Sequence, residues 1–340
     1  MNRYPNRNLS RDQAIPQPLF GCRHPLFCLA MLFCLAGSGT VVAFDQPQVY
    51  QLKPKDRVCI MGDSTTVDGF AVGGYAQQVI QALKEQIPDQ NIVVNARCRS
   101  TRKADSFVGW VEELKTKIGA SDFPTVVIGN FGLNDSGAGE KGLAPYTDHL
   151  RRAVALLREM KVTPILCTPT TCNGLDRTKL YAEAVRTLTA ELKVPLIDLY
   201  AAHAEQIVKN TIDNKIQPGT SPVRDGTHLT IVGETLSASA FLKAFGLKPV
   251  WQKYQLRVGT YKIGTRGSAG GKITLEPDQP FYAPDAKVTL TFLPDPGNTF
   301  TRWFNYEGIV ITETTTKLTV TMDRHKWIMA EAKPDEVKKP

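Results

Sequence analysis

Between residues 57 and 247, short β-branched apolar runs alternate with amphipathic stretches. The strand-like runs fall at 58–61, 92–95, 125–130, 163–167 and 195–198. Between them Leu150, Ala153, Val154 and Leu157 recur at helical spacing, as do Val185, Leu188 and Leu192, and a last helix is predicted over 229–245. Strand–helix alternation at this interval predicts a parallel sheet with helices on both faces, an α/β domain over 57–247. In such sheets the ligand lies beyond the carboxyl ends of the strands. The residues following each strand are therefore the ones that can carry chemistry.

After Pro249 the period changes from helical to alternating. Runs at 272–275, 287–292, 317–321 and 327–330 alternate apolar with polar residues, separated by turns such as Asp295-Pro296-Gly297, with 264–271 as a linker or hairpin loop. This predicts a small β-rich module over 248–332 and a charged tail over 333–340. Tyr282, Phe300 and Trp303 read as the module's core. Its own strands and turns predict a unit that folds without its neighbour and serves recruitment or spacing.

The N-terminal segment has a third character. Residues 26–36 form an unbroken apolar run, preceded by Arg23 and His24 and followed by small and polar residues up to Val41-Val42-Ala43. This is the pattern of a secretory signal over 1–43 with cleavage after Ala43 and a linker over 44–56. The run falls short of the roughly twenty apolar residues of a spanning helix, with an uncleaved anchor as the alternative. The mature chain is expected to be secreted or periplasmic, without stable membrane insertion.

Composition then narrows the classes. The 340 residues carry 41 Lys+Arg against 33 Asp+Glu, and 42% are hydrophobic, which excludes a disordered or collagen-like chain. Part of the net charge of +8 comes from Arg3, Arg7, Arg11 and Arg23 in the targeting segment, and no basic stripe with interleaved aromatics follows, so no nucleic acid partner is expected. Four cysteines remain after the signal: Cys59, Cys98, Cys167 and Cys172. An exported compartment permits disulfides, and the 167–172 loop is able to close on itself, but the pairing is not fixed by sequence. No zinc-type Cys/His spacing occurs, and neither metal nor cofactor is expected.

The first strand runs into Gly62-Asp63-Ser64, placing a serine at the carboxyl edge of the sheet. A serine hydroxyl is a weak nucleophile and needs a base. Asp225-Gly-Thr-His228 lies just before the last helix, and an aspartate three residues ahead of a histidine can reach the imidazole Nδ1–H, leaving Nε2 to accept the serine proton. The third strand leads into Phe131-Gly-Leu-Asn134-Asp135, which brings an amide donor to the same edge for a developing oxyanion. His149 and His203 fall on predicted helices and His325 in a turn, and are read as structural.

This ordered set resembles the SGNH/GDSL hydrolase superfamily, over about residues 55–247. The resemblance implies a flavodoxin-like three-layer α/β/α domain and a serine esterase working through an acyl-enzyme. It implies Ser64 as nucleophile, His228 as base and Asp225 as its orienting carboxylate, with an oxyanion hole formed by the Ser64 and Cys98 amides and Asn134. One block departs from the family. The glycine usual after the second strand is replaced by Cys98 when Arg99-Ser-Thr-Arg102 is aligned, whereas anchoring on Asn95 puts Arg99 or Ser100 there. The Asn134 and Arg99–Arg102 blocks resemble the branch that removes acetyl groups from polysaccharides such as rhamnogalacturonan or xylan. An acetylated polysaccharide or other small ester is therefore the expected partner, with a lipid esterase or thioesterase, or a non-hydrolysing carbohydrate-binding relative, as alternatives. The C-terminal pattern from Gly271 through Trp303 to Asp323 resembles the divergent InlB B-repeat modules of bacterial surface and secreted proteins, and implies contact with a cell surface or polymer.

Overall fold

The computed structural model describes residues 49–117, 123–172, 175–212, 215–217, 220–264, 270–305 and 311–335. The signal assigned to 1–43 lies outside the described residues, as do parts of the 264–271 loop and of the charged tail.

Strands β1 (Arg57–Gly62), β2 (Val93–Cys98), β3 (Val126–Asn130), β4 (Thr163–Cys167) and β5 (Leu196–Ile197) form one parallel sheet in the order β2-β1-β3-β4-β5. Successive side chains of a strand face opposite sides, and this alternation sorts them into two cores. Val58 and Ile60 of β1, Val126 and Ile128 of β3 and Ile165 of β4 share one core with Tyr75, Val79 and Phe241. These last residues belong to helices α2 (Tyr75–Gln86) and α7 (Ile231–Ala244). Met61, Val127 and Leu166 face the other side, against Phe107, Val154 and Val185. Those come from α3 (Ala104–Lys117), α4 (Leu143–Glu159) and α5 (Leu175–Leu192). Short α1 (Ser64–Gly69) follows β1, while α6 (Leu199–Lys209) precedes a two-stranded hairpin, β6 (Thr211–Ile212) with β7 (Lys215–Ile216). The three-layer α/β/α domain is thus as the periodicity predicts.

Residues 49–56 are not a free tether. Leu52 is buried in the first core, the Tyr50 amide donates to the Ala244 carbonyl at 2.8 Å, and buried Asp56 accepts from the Thr125 hydroxyl at 2.7 Å. The second strand runs on to Cys98, three residues beyond the predicted end, paired with β1 so that Cys98 lies opposite Gly62.

The C-terminal part forms two three-stranded sheets around a separate core. Strands β9 (Gly271–Glu276), β10 (Lys287–Pro294) and β12 (Lys317–Thr321) are antiparallel in the order β12-β10-β9. β13 (Lys326–Pro334) lies between antiparallel β11 (Asn298–Asn305) and parallel β8 (Leu256–Lys262). Tyr282 and Trp303 are buried in this core with Phe300 packed against it, as their spacing suggests. Two strands were illegible to the alternation rule. In β11 a register shift between Phe300 and Arg302 lets both Phe300 and Trp303 join the core, breaking the period of two. In β8 almost every side chain is half-buried, and Gly259 interrupts the pattern because an added Cβ would meet the Met329 sulfur at 2.8 Å.

The module is not freely appended. The Trp251 indole donates to the Gln78 carbonyl at 2.9 Å and the Gln81 side chain donates to the Lys253 carbonyl at 2.6 Å. The buried Gly73 amide donates to the Gln255 side chain at 2.8 Å. Trp327 and Met329 of β13 bury Ile231, the first residue of α7. The expectation of a self-sufficient unit is corrected on this point: its strands do have their own core, but one face also packs along α2, the turn after α1 and the start of α7.

At this contact buried Glu234, on α7, accepts from the Tyr75 amide at 2.8 Å and so caps α2, whose N-cap Gly74 offers no side-chain acceptor. Burial pushes the Glu234 carboxyl up from 4.5 to about 8, against the opposing effect of the Tyr75 amide and of Arg257 and Arg224. Between those two values the fold holds a proton that the unfolded chain has lost, so stability falls as pH rises through the window. Glu234→Gln keeps an acceptor and removes the proton. Its melting temperature is expected to gain on wild type between pH 4.5 and about 8 and to keep a constant lead above that. Parallel Tm–pH curves for the two proteins would contradict this assignment.

Candidate active site

Gly62 closes β1 where a side chain has no room: an added Cβ would lie 2.0 Å from Thr66 Oγ1 and 2.9 Å from the Asn130 carbonyl. The chain then turns into α1 with Asp63 as N-cap, its carboxylate accepting from the Thr65 amide at 2.9 Å and hydroxyl at 2.8 Å. Ser64 is therefore the first residue of a helix at the sheet's carboxyl edge, the position expected from sequence.

The Asp225–His228 segment arrives from the other end of the domain. Gly226, with φ of +81°, turns the chain so that Asp225 Oδ1 accepts from the Thr227 amide at 3.1 Å and the His228 amide at 2.8 Å. Asp225 Oδ2 lies 2.8 Å from His228 Nδ1, and His228 Nε2 lies 3.1 Å from Ser64 Oγ. Partial burial opposes ionisation of Asp225, but the His228 amide, the His228 ring and the Thr227 amide outweigh it and hold the carboxyl below its ordinary value. An ionised carboxylate only accepts, so Nδ1 carries the proton of the neutral ring and Nε2 is left to accept from the serine hydroxyl. The Asp225 side chain is 55% exposed.

Asn134 lies beyond β3 on the same edge. Its Nδ2 donates to Asp63 Oδ2 and to the Arg102 carbonyl, both at 3.1 Å. The turn that presents it is braced from α5 by Arg177, whose guanidinium donates to Ser136 Oγ at 3.0 Å and to the Leu133 carbonyl at 3.1 Å. Cys98 stands opposite Gly62 and is half-buried; burial and the neighbouring Asp63 push its thiol up. No disulfide joins Cys59, Cys98, Cys167 and Cys172, so the 167–172 loop is not closed by one.

Sequence reasoning drew Ser64, Asp225, His228 and Asn134 from their positions after a strand or before a helix, and the structure brings these four to one edge of the sheet. It assigned no role to Asp63, which burial pushes up to about 6 despite the Thr65 hydrogen bonds, nor to Arg224 beside Asp225. Asp63 sits inside the Gly-Asp-Ser motif, but its capping of α1 comes from the structure. Arg224 carried no local signal, because its partners are distant in sequence. His203 is buried on α6 between Ser237 Oγ at 3.0 Å and the Gly233 carbonyl at 3.2 Å, away from this cluster. Among the described residues no group of His, Cys, Asp and Glu side chains is arranged to hold a metal.

A parallel three-layer sandwich with a serine at the carboxyl edge, hydrogen-bonded to a histidine backed by a carboxylate, defines a hydrolase of the SGNH fold. The GDSL-like lipase/acylhydrolase family model matches residues 60–233, and the chain belongs to that family, whose members hydrolyse ester bonds. A divergent InlB B-repeat domain matches residues 261–334. Comparison with curated protein sequences gives no match. Among solved structures, a catalytic mutant of Axe2, an acetylxylan esterase from Geobacillus stearothermophilus, is similar in fold. It has a TM-score of 0.50 and 21% identity, covering 59% of this chain and 99% of that one. The acetyl xylan esterase AlAXEase has a TM-score of 0.49 and 22% identity, covering 55% of this chain and 98% of its own.

Proposed function

We propose that the protein is an exported serine esterase that removes acetyl groups from carbohydrate esters. The observation that carries the reading is the hydrogen-bonded line from Ser64 Oγ through the His228 ring to Asp225, at 3.1 and 2.8 Å. Ser64 Oγ attacks the ester carbonyl carbon as its proton passes to His228 Nε2, and the imidazolium is held by Asp225. The oxyanion takes hydrogen bonds from the Ser64 and Cys98 amides and from Asn134 Nδ2. At rest both Nδ2 hydrogens are engaged, by Asp63 and by the Arg102 carbonyl, so Asn134 exchanges one of these partners as charge develops. Collapse of the tetrahedral adduct expels the sugar hydroxyl with the proton from His228. Water, deprotonated by the same ring, then attacks the acyl-enzyme and releases acetate.

The substrate class is supported by the resemblance of Phe131–Asp135 and Arg99–Arg102 to the polysaccharide-deacetylating branch, and by the acetylxylan esterases among the structures of similar fold. Export rests on the apolar run at 26–36. Among the described residues no helix is long and apolar enough to cross a membrane.

A series of p-nitrophenyl esters of increasing acyl length tests the acyl preference. The expected result is kcat/KM highest for acetate and at least about tenfold lower by octanoate, with acetate released from acetylated xylan or pectin fragments. A maximum at long chains would assign the site to lipid or thioester substrates instead.

A further inference from the structure

The segment bearing Asp225 and His228 is gripped from outside the α/β domain. Arg224, immediately before Asp225, donates its guanidinium to Asp68 Oδ2 at 2.6 Å, and its backbone amide donates to the His228 carbonyl at 2.9 Å. Asp68 stands on α1, one turn beyond Ser64. This ion pair therefore ties the helix that carries the serine to the loop that carries its base. The pair is largely enclosed, with the Arg224 side chain 13% exposed. What covers it is Trp327 of β13, whose ring centroid lies 4.8 Å from the Arg224 guanidinium and 3.6 Å from that of Arg257 on β8. On the far side of His228, Ile231 packs against the same Trp327 and against Met329. The turn after α1 is held from the module as well, by the Gly73 amide donating to Gln255.

From these contacts we propose that the β8–β13 face of the C-terminal module is a working part of the catalytic centre. In this arrangement Trp327 acts through Arg224 as a positioning residue that sets the distance between Ser64 and His228. It rests on the reading of Ser64, His228 and Asp225 as the reacting groups. The physical basis is that an arginine held between a carboxylate and an aromatic face has few alternative positions. Take away the ring and the guanidinium gains water and freedom, and Asp68 and the 224–228 loop lose their fixed spacing. Catalysis is sensitive to such changes, since a misplacement of about 1 Å can cost on the order of a hundredfold.

The test uses the full-length protein and p-nitrophenyl acetate, with kcat and KM measured separately and intact sites counted with a fluorophosphonate label. Trp327→Ala is expected to lower kcat per labelled site at least about tenfold, with KM within about twofold of wild type. Trp327→Phe, which keeps an aromatic face, should recover most of the loss. Trp251→Phe removes a module contact remote from Arg224, namely the bond to the Gln78 carbonyl, and should lower the melting temperature without lowering kcat per site. Arg224→Lys keeps the charge but not the fork and should lower kcat. Trp327→Leu keeps bulk without an aromatic face and should lower it too, with no further fall in the double variant, because both act through one link. Wild-type kcat per labelled site in Trp327→Ala would overturn the proposal. So would an equal loss in Trp251→Phe. Should Trp327→Ala not fold, additive losses in the Arg224→Lys/Trp327→Leu pair would overturn it in its place. Ser64→Ala runs alongside: turnover at the wild-type rate there would remove the underlying site reading instead, whatever the tryptophan variants do.

Discussion

Ser64→Ala is expected to lower ester hydrolysis by about a millionfold, with the chain still folded. Ser64 Oγ makes one hydrogen bond to His228, and its removal leaves the N-cap of α1 untouched, because capping is done by Asp63. The melting temperature should therefore stay close to wild type while turnover vanishes. His228→Ala should cost about as much, and the double variant no more than either single one, because the two side chains act as one unit. Asp225→Asn should be milder, with a loss on the order of 10⁴-fold in a well-enclosed triad as the upper limit. The Asp225 side chain is 55% exposed, so water can take over part of its work on the imidazolium. Purified Ser64→Ala protein that turns over at a near-wild-type rate would end the serine-esterase reading. A loss in Asp225→Asn as large as in Ser64→Ala would show that the carboxylate does more than orient the ring.

These residues stand out in the sequence because the chemistry proposed for them is written locally. Ser64 follows a strand by two residues, Asn134 follows another by four, and Asp225 and His228 are three apart. Each needs only the direction of a strand or a turn of the chain to find its place. The parallel sheet was legible for the same reason, since Val58, Ile60, Val126 and Ile128 repeat at a period of two within runs bounded by helical patterns. What was not legible depends on partners far apart in sequence. Trp327 meets Arg224 across a hundred residues, and nothing in the alternation of β13 distinguishes a tryptophan facing its own sheet's core from one facing a neighbouring domain. β11 was hidden by a bulge, and Glu234 reads as an ordinary first-turn acid of α7 until the amide of Tyr75 is found above it.

The distance between sequence and structure is widest for the module, and so is the change in what its removal should do. A chain ending near Leu247 keeps every residue proposed to touch the substrate, and by its motifs alone should work at the full rate. The structure leads to the opposite expectation. The truncation strips Trp327 and Met329 from Ile231, opens the Asp68–Arg224 pair to water, and leaves the Gly73 amide without the Gln255 oxygen. It also removes Arg257, one of the charges that act on buried Glu234, the residue that caps α2. Exposing apolar area costs about 25 cal/mol per Å², and each buried donor stripped of its acceptor adds about 1–3 kcal/mol unless water reaches it. Against a stability of typically 5–15 kcal/mol, losses at several such points are enough to unfold part of the domain. The truncated protein should therefore lose activity on p-nitrophenyl acetate and on acetylated polymer alike, by more than about tenfold, with a lower melting temperature. Loss confined to the polymer would mean that the module serves recruitment and that the contacts along α2 and α7 contribute little. A full rate on both substrates would reduce those contacts to mere proximity.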